Sequence, residues 1–103
     1  MDVRFAEKKL DDMETESHVT GGLSPVALAA YRGRLQALRA APREQALLGL
    51  RSFELRRFAN GTHALRVTDD LDLLVAFEDG SEGRLAVVEA LVQRTKTNSE
   101  RPS

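Results

Sequence analysis

No cysteine occurs among the 103 residues, which excludes disulfides, thiol catalysis and Cys-ligated zinc. No apolar run approaches the ~20 residues needed to span a membrane. The first nine residues, Met1 to Lys9, alternate charged and apolar side chains. They lack the continuous apolar stretch of a signal peptide, so a cytoplasmic protein is expected. Internal repeats and low-complexity blocks are missing. So is a phosphate-binding loop, because Gly21-Gly22 precedes a helical pattern without the Lys and spacing that such loops use. The two histidines, His18 and His63, stand far apart in the chain and offer no metal site. No metal and no small-molecule cofactor is expected.

What is present is charge, sorted by region. The net charge is −1, from 15 Lys+Arg and 16 Asp+Glu. Residues 1–23 and 68–92 are acidic, whereas 24–67 carry eight Arg against Glu44 and Glu54. Every cation of that central stretch is Arg, the side chain suited to bidentate contact with phosphate or carboxylate. Either these guanidinium groups pair with acids of the same chain, or they face an anionic partner. With 42% hydrophobic residues the chain is globular, and its length fits one domain.

Periodicity predicts the elements. Ala6, Leu10 and Met13 fall on one helical face, which predicts a short helix from Phe5 to about Thr15. Ser24-Pro25 starts a second helix, with Ser as cap and Pro at the first position, running to about Ala41. Its apolar stripe is Leu28, Tyr31, Leu35 and Leu38, and Pro42 stops it. Residues 42–52 allow one more helical turn before Gly49.

From Phe53 the period changes to two. Asn60-Gly61 predicts a two-residue hairpin turn. His63, Leu65 and Val67 then share one face, and Ala64, Arg66 and Thr68 the other. Asp69-Asp70 turns again, and Leu71 to Phe77 has the continuous apolar character of a central strand covered on both faces. Arg84 to Val92 is a fourth strand, followed by a polar tail over 93–103. The expected architecture is α+β: one domain over 1–92, with two N-terminal helices packed on a small antiparallel four-stranded sheet.

Arg56, Arg57 and Arg66 fall on adjacent strands, where cations converge on one patch. With Arg84 at the start of the last strand they are the candidate RNA-binding residues. The candidate catalytic residues are Arg56, His63, Arg66 and Glu89. The cations would stabilise the charge of a 2′-OH attack on phosphorus, while the imidazole or carboxylate moves protons. The alternatives are structural: His63 as a half-buried core residue, Arg56 and Arg57 as partners of Glu54 or later acids, and Glu89 facing solvent or held by an Arg such as Arg66.

The segment Ala64-Leu65-Arg66-Val67-Thr68-Asp69-Asp70-Leu71-Asp72-Leu73-Leu74-Val75-Ala76-Phe77 resembles the Ser-Ile-Arg-Val-Asn-x-x-Trp-Arg-Leu-x-Phe-x-Phe hairpin of HigB-type (plasmid maintenance killer) toxins in the RelE/ParE superfamily. Arg34 to Ala41 is similar to that family's second helix, Arg-Leu-x-x-Leu-x-x-Ala, and Leu50 to Phe58 to its Leu-x-x-Leu strand. The likeness covers residues 3 to 92. In it, Leu71-Asp72 stand where the family has Trp-Arg, Arg56 where it has a His, and Glu89, Ala90 and Leu91 where it has Asp-Tyr-His. The resemblance implies the toxin of a type II toxin–antitoxin pair, a metal-independent mRNA interferase acting on the ribosome. It also implies a cognate antitoxin, of helix-turn-helix type, as partner. ParE-type relatives, which inhibit gyrase, make a non-nucleolytic or degenerate binding protein the alternative. An Arg-rich domain docking an acidic partner segment is a third.

Overall fold

The structure is a computed structural model that describes residues 1–58, 60–81 and 83–93, leaving aside the side chain of Ser52. Five strands and two helices are present: β1 (Asp2–Phe5), α1 (Lys8–Thr15), α2 (Pro25–Ala40), β2 (Arg56–Arg57), β3 (Thr62–Thr68), β4 (Leu71–Gly80) and β5 (Gly83–Gln93). Two short 3₁₀ segments, Glu44–Gly49 and Arg51–Phe53, link α2 to β2. The sheet order is β1-β5-β4-β3-β2.

The α+β class is as expected, but the sheet is mixed and five-stranded rather than antiparallel and four-stranded. The extra strand is β1, which pairs in parallel with β5 from Asp2 opposite Leu85 to Phe5 opposite Val88. The predicted first helix therefore begins later, at Lys8. Val3 and Phe5 do alternate with Asp2 and Arg4, yet four residues carry too short a period, and the partner strand lies some eighty positions away. Three further boundaries move. β2 is only two residues long. The first hairpin closes with Phe58 N–H donating to the Thr62 carbonyl at 2.8 Å, so its connection is one residue longer than Asn60-Gly61. β4 and β5 run further, to a tight end with Gly80 opposite Gly83. The polar tail beyond Gln93 lies outside the described residues.

One face of the sheet carries the core. Leu65 and Val67, Leu71, Leu73 and Val75, and Ala86 and Val88 pack under Leu10 and Met13 of α1 and the predicted stripe of α2. Both helices thus lie on one side, because period-two alternation supplies one apolar row per strand and the helices each supply one stripe. β4 is central in the sheet, but it is not covered on both faces as expected. Its second row, Asp72, Leu74 and Ala76, faces the side opposite the helices. No helix is long and apolar enough to cross a membrane among the described residues.

The helices are locked together by polar contacts. The Tyr31 hydroxyl, fully buried, donates to the Leu10 carbonyl at 2.6 Å. Burial pushes that phenol well above its usual range. Arg32 donates through Nε to the Met13 carbonyl at 2.9 Å and through Nη2 to that of Glu16, closing the end of α1. Arg39 pairs with Glu14. Arg34 donates to the Arg66 carbonyl at 2.8 Å and lies 4.4 Å over the Phe53 ring. All three arginines of α2 are thus engaged within the chain. The loop between the helices closes on Gly21, whose φ is +62° and where a Cβ would lie 2.5 Å from the Met13 sulfur. The left-handed φ favours glycine there, and any side chain would also have to displace the end of Met13.

Replacing Tyr31 with Phe removes one buried hydrogen bond and should cost about 1 kcal/mol. In a domain of this size that is a fall of roughly 4–8 °C in melting temperature, read by circular dichroism. An unchanged melting temperature would show that the Tyr31–Leu10 contact does not hold the helices together.

Candidate functional site

The same alternation that builds the core divides the candidate residues between two faces. Arg57 pairs with His63, and His63 with Val75, all on the helix side of the sheet. Arg56 pairs with Ala64, and Arg66 with Asp72, on the opposite side. Glu89 sits in β5 at a bulge, the extra residue where the register steps from Leu74–Ala90 to Val75–Val88. Three strand spacings of about 4.8 Å separate it from Arg56. The four candidate catalytic residues are therefore not brought together.

On the outer face the cations are held by acids. Asp72 is 6% exposed, and Arg56 Nη2 donates to its Oδ2 at 2.6 Å. Arg66 pairs with both Glu54 and Asp69. Glu54 adopts a left-handed backbone, φ 44°, at the end of the second 3₁₀ segment. A buried carboxylate needs such a partner, because leaving it uncompensated in a low-dielectric site is costly. The pairing reading made for Arg56 and Arg57 holds for Arg56, with Asp72 the acid that had been read only as a substitution, and finds no acid for Arg57 among the described residues. Glu89 is not held by Arg66, which is spent elsewhere.

On the helix side three of the predicted residues do converge. His63, Arg57 and Arg84 line a cleft of about 430 Å³ with Glu44, Leu48 and Phe77. Its wall is the first 3₁₀ segment. Leu47 anchors that segment in the core, which leaves Glu44 and Leu48 turned to the cleft. His63 sets its ring edge-on to Phe77, with centroids 5.0 Å apart and planes at 76°. Its Nδ1 is shut from solvent without a hydrogen-bond partner among the described residues. Nε2 is thus the nitrogen open to a ligand. Arg84 donates from Nε to Glu44 Oε1 at 2.9 Å and from Nη1 to Asp79 Oδ1 at 2.9 Å. The Arg84 bond, and to a lesser degree the nearby His63, hold the Glu44 carboxyl below its usual range. Arg57 makes no ion pair or hydrogen bond through its side chain with any other described residue, so its guanidinium faces the cleft uncompensated.

An imidazole, a free guanidinium, a second guanidinium shared between acids and an ionised carboxylate can together hold an anionic group and move a proton beside it. Among the described residues no cluster of three or more His, Asp or Glu is arranged to hold a metal ion. Glu44 was missed in the sequence. Its signal was present, since it is one of only two acids among the eight arginines of residues 24–67. No family model, no curated protein and no solved structure matches this chain.

Two measurements check these assignments. Arg56→Ala should lower stability by about 1–2 kcal/mol in denaturant unfolding, less than for a fully buried pair because the guanidinium is half exposed to solvent. A smaller loss would mean that Asp72 is carried by its other contacts. Glu44→Gln removes a carboxylate whose folded pKa is depressed. The stabilisation it gives is full above the ordinary value of 4.5 and is lost as pH falls through the lowered one. The gap in melting temperature between wild type and Glu44→Gln should therefore be constant at neutral pH and close below pH 4.5. A gap that persists in acid would place the effect in packing.

Proposed function

We propose that this chain is the toxin of a type II toxin–antitoxin pair, with the RelE/ParE-like architecture implied by the resemblance, and that it cleaves mRNA without a metal. The observation that carries this reading is the convergence of His63, Arg57 and Arg84 on one cleft beside an ionised Glu44. The hairpin likeness supports it, as does a sheet with both helices on one side.

In the proposed reaction the phosphate of the scissile linkage lies between Arg57 and Arg84. His63 Nε2 takes the proton of the adjacent 2′-OH. The 2′-oxygen attacks phosphorus and the P–O5′ bond breaks, while the 5′-oxygen leaves with a proton from water. The products are a 2′,3′-cyclic phosphate and a 5′-hydroxyl end. The guanidinium groups meet the extra negative charge of the pentavalent state. The exposed Leu48 and the Phe77–His63 rings offer apolar surface for an unstacked base, the usual way single-stranded RNA is gripped.

Arg56 and Arg66 are not catalytic in this reading. Two departures from the family pattern, Arg56 for a His and Asp72 for an Arg, compensate one another as the 2.6 Å pair on the outer face. That neutralised face also favours the second reading, a superfamily member that arrests growth by binding a protein target. The antitoxin would cover the Arg57 side of the cleft with acids.

Induction in cells with mapping of mRNA 5′ ends separates the two. Wild type should cut ribosome-bound messages. His63→Ala should reduce cutting by about 10²-fold or more, as loss of a general base does, and Arg57→Ala by a smaller factor. Growth arrest with intact messages would replace the nuclease reading with the binding one. No arrest at all would remove both.

A further inference from the structure

β1 lies at the open edge of the sheet. Which of its backbone groups face outward follows from a single bond. Ala6 N–H donates to the Val88 carbonyl at 2.9 Å. Peptide groups alternate direction along a strand, so the N–H and C=O of Arg4 and Asp2 also point to β5. Those of Val3 and Phe5 point off the edge, and neither N–H has a partner among the described residues. The side chains alternate in the other sense: Val3 and Phe5 pack against the core, while Asp2 and Arg4 stand exposed on the outer face. Two open grooves flank the strand. One, of about 560 Å³, has Asp2, Arg4 and Leu85 in its wall. The other, of about 520 Å³, has Arg4, Phe5 and Lys8.

Natural edges are usually blunted by Pro or by charges that repel an added strand. Here the two exposed charges have opposite signs, in an order that reads as its own complement. We propose that β1 is a self-complementary docking edge through which two copies of this chain join antiparallel, with the two-fold axis at Val3. In that register each Val3 exchanges both backbone hydrogen bonds with its counterpart. Asp2 of each copy stands opposite Arg4 of the other, on the same face, as a cross-strand pair of opposite charge. The contact is isologous and closes at two copies, giving one continuous ten-stranded sheet with all four helices on one side. A seam four residues long makes the dimer weak and dependent on concentration.

Sedimentation velocity of the full chain, tagged only at its C-terminal end, tests this. The weight-average mass should rise toward twice that of the chain between roughly 5 and 500 μM, the range in which small interfaces associate. Arg4→Asp sets like charges opposite each other and should weaken association by about tenfold or more. The swapped double variant Asp2→Arg/Arg4→Asp restores opposite signs and should recover association to within a few-fold of wild type. Val3→Pro removes an N–H that β5 does not use, so it should give a folded monomer with an unchanged far-ultraviolet spectrum. Failure of the charge swap to rescue, or a wild type that stays monomeric at the highest concentration, overturns the proposal. Neither result bears on the His63 cleft, which no residue of β1 lines.

Discussion

A sheet clothed by helices on one side only is the constraint behind the rest of the molecule. Each strand has two rows of side chains and one layer of helices to bury them. Beneath the helices the inner row is apolar, and Tyr31, Leu35 and Leu38 close over it with no measurable exposure. The outer row has no such cover. Its central members are small or modest, Ala64, Leu74 and Ala76, and its charged members have to find partners along the sheet surface. Arg56, Asp72, Arg66 and Glu54 do so.

The same constraint decides where chemistry is possible. His63 lies on the helix side, in a cleft walled by the first 3₁₀ segment rather than by α1 or α2. There the inner row passes from packed aliphatic side chains to His63, Phe77 and Arg57, and a cleft replaces the core. A cation on that side stays available when its cross-strand neighbour is not an acid, which is the position of Arg57 opposite His63. Arg84 is different. Two carboxylates share it, so an incoming phosphate would compete with Glu44 and Asp79 for the same guanidinium.

Local signals were legible in the sequence. The α2 stripe of Leu28, Tyr31, Leu35 and Leu38 is buried as its spacing predicts, and Ser24 caps the helix through a 3.1 Å bond from Ala27 N–H. Asp69-Asp70 turns where expected, and His63, Leu65 and Val67 share a face. Pairings between distant segments were not legible. β1 leaves almost no period in four residues, and its role depends on β5. The face of a given Arg also depends on strand register, so Arg56, Arg57 and Arg66, read as one patch, divide between the two faces. Asp72 shows the limit plainly: its neighbours in sequence are apolar, and only the fold reveals that Arg56 reaches across β3 to meet it.

β2 has two residues and therefore little ladder of its own to hold it. One of those residues reaches over the outer surface to a buried acid, while its neighbour presents the free charge of the cleft on the inner surface. The ribbon thus joins the two surfaces of the sheet through adjacent side chains. Without the Arg56–Asp72 anchor, only the pairing of two residues with β3 would hold the cation above in place. A contact on one surface in this way helps to set the place of a side chain on the other.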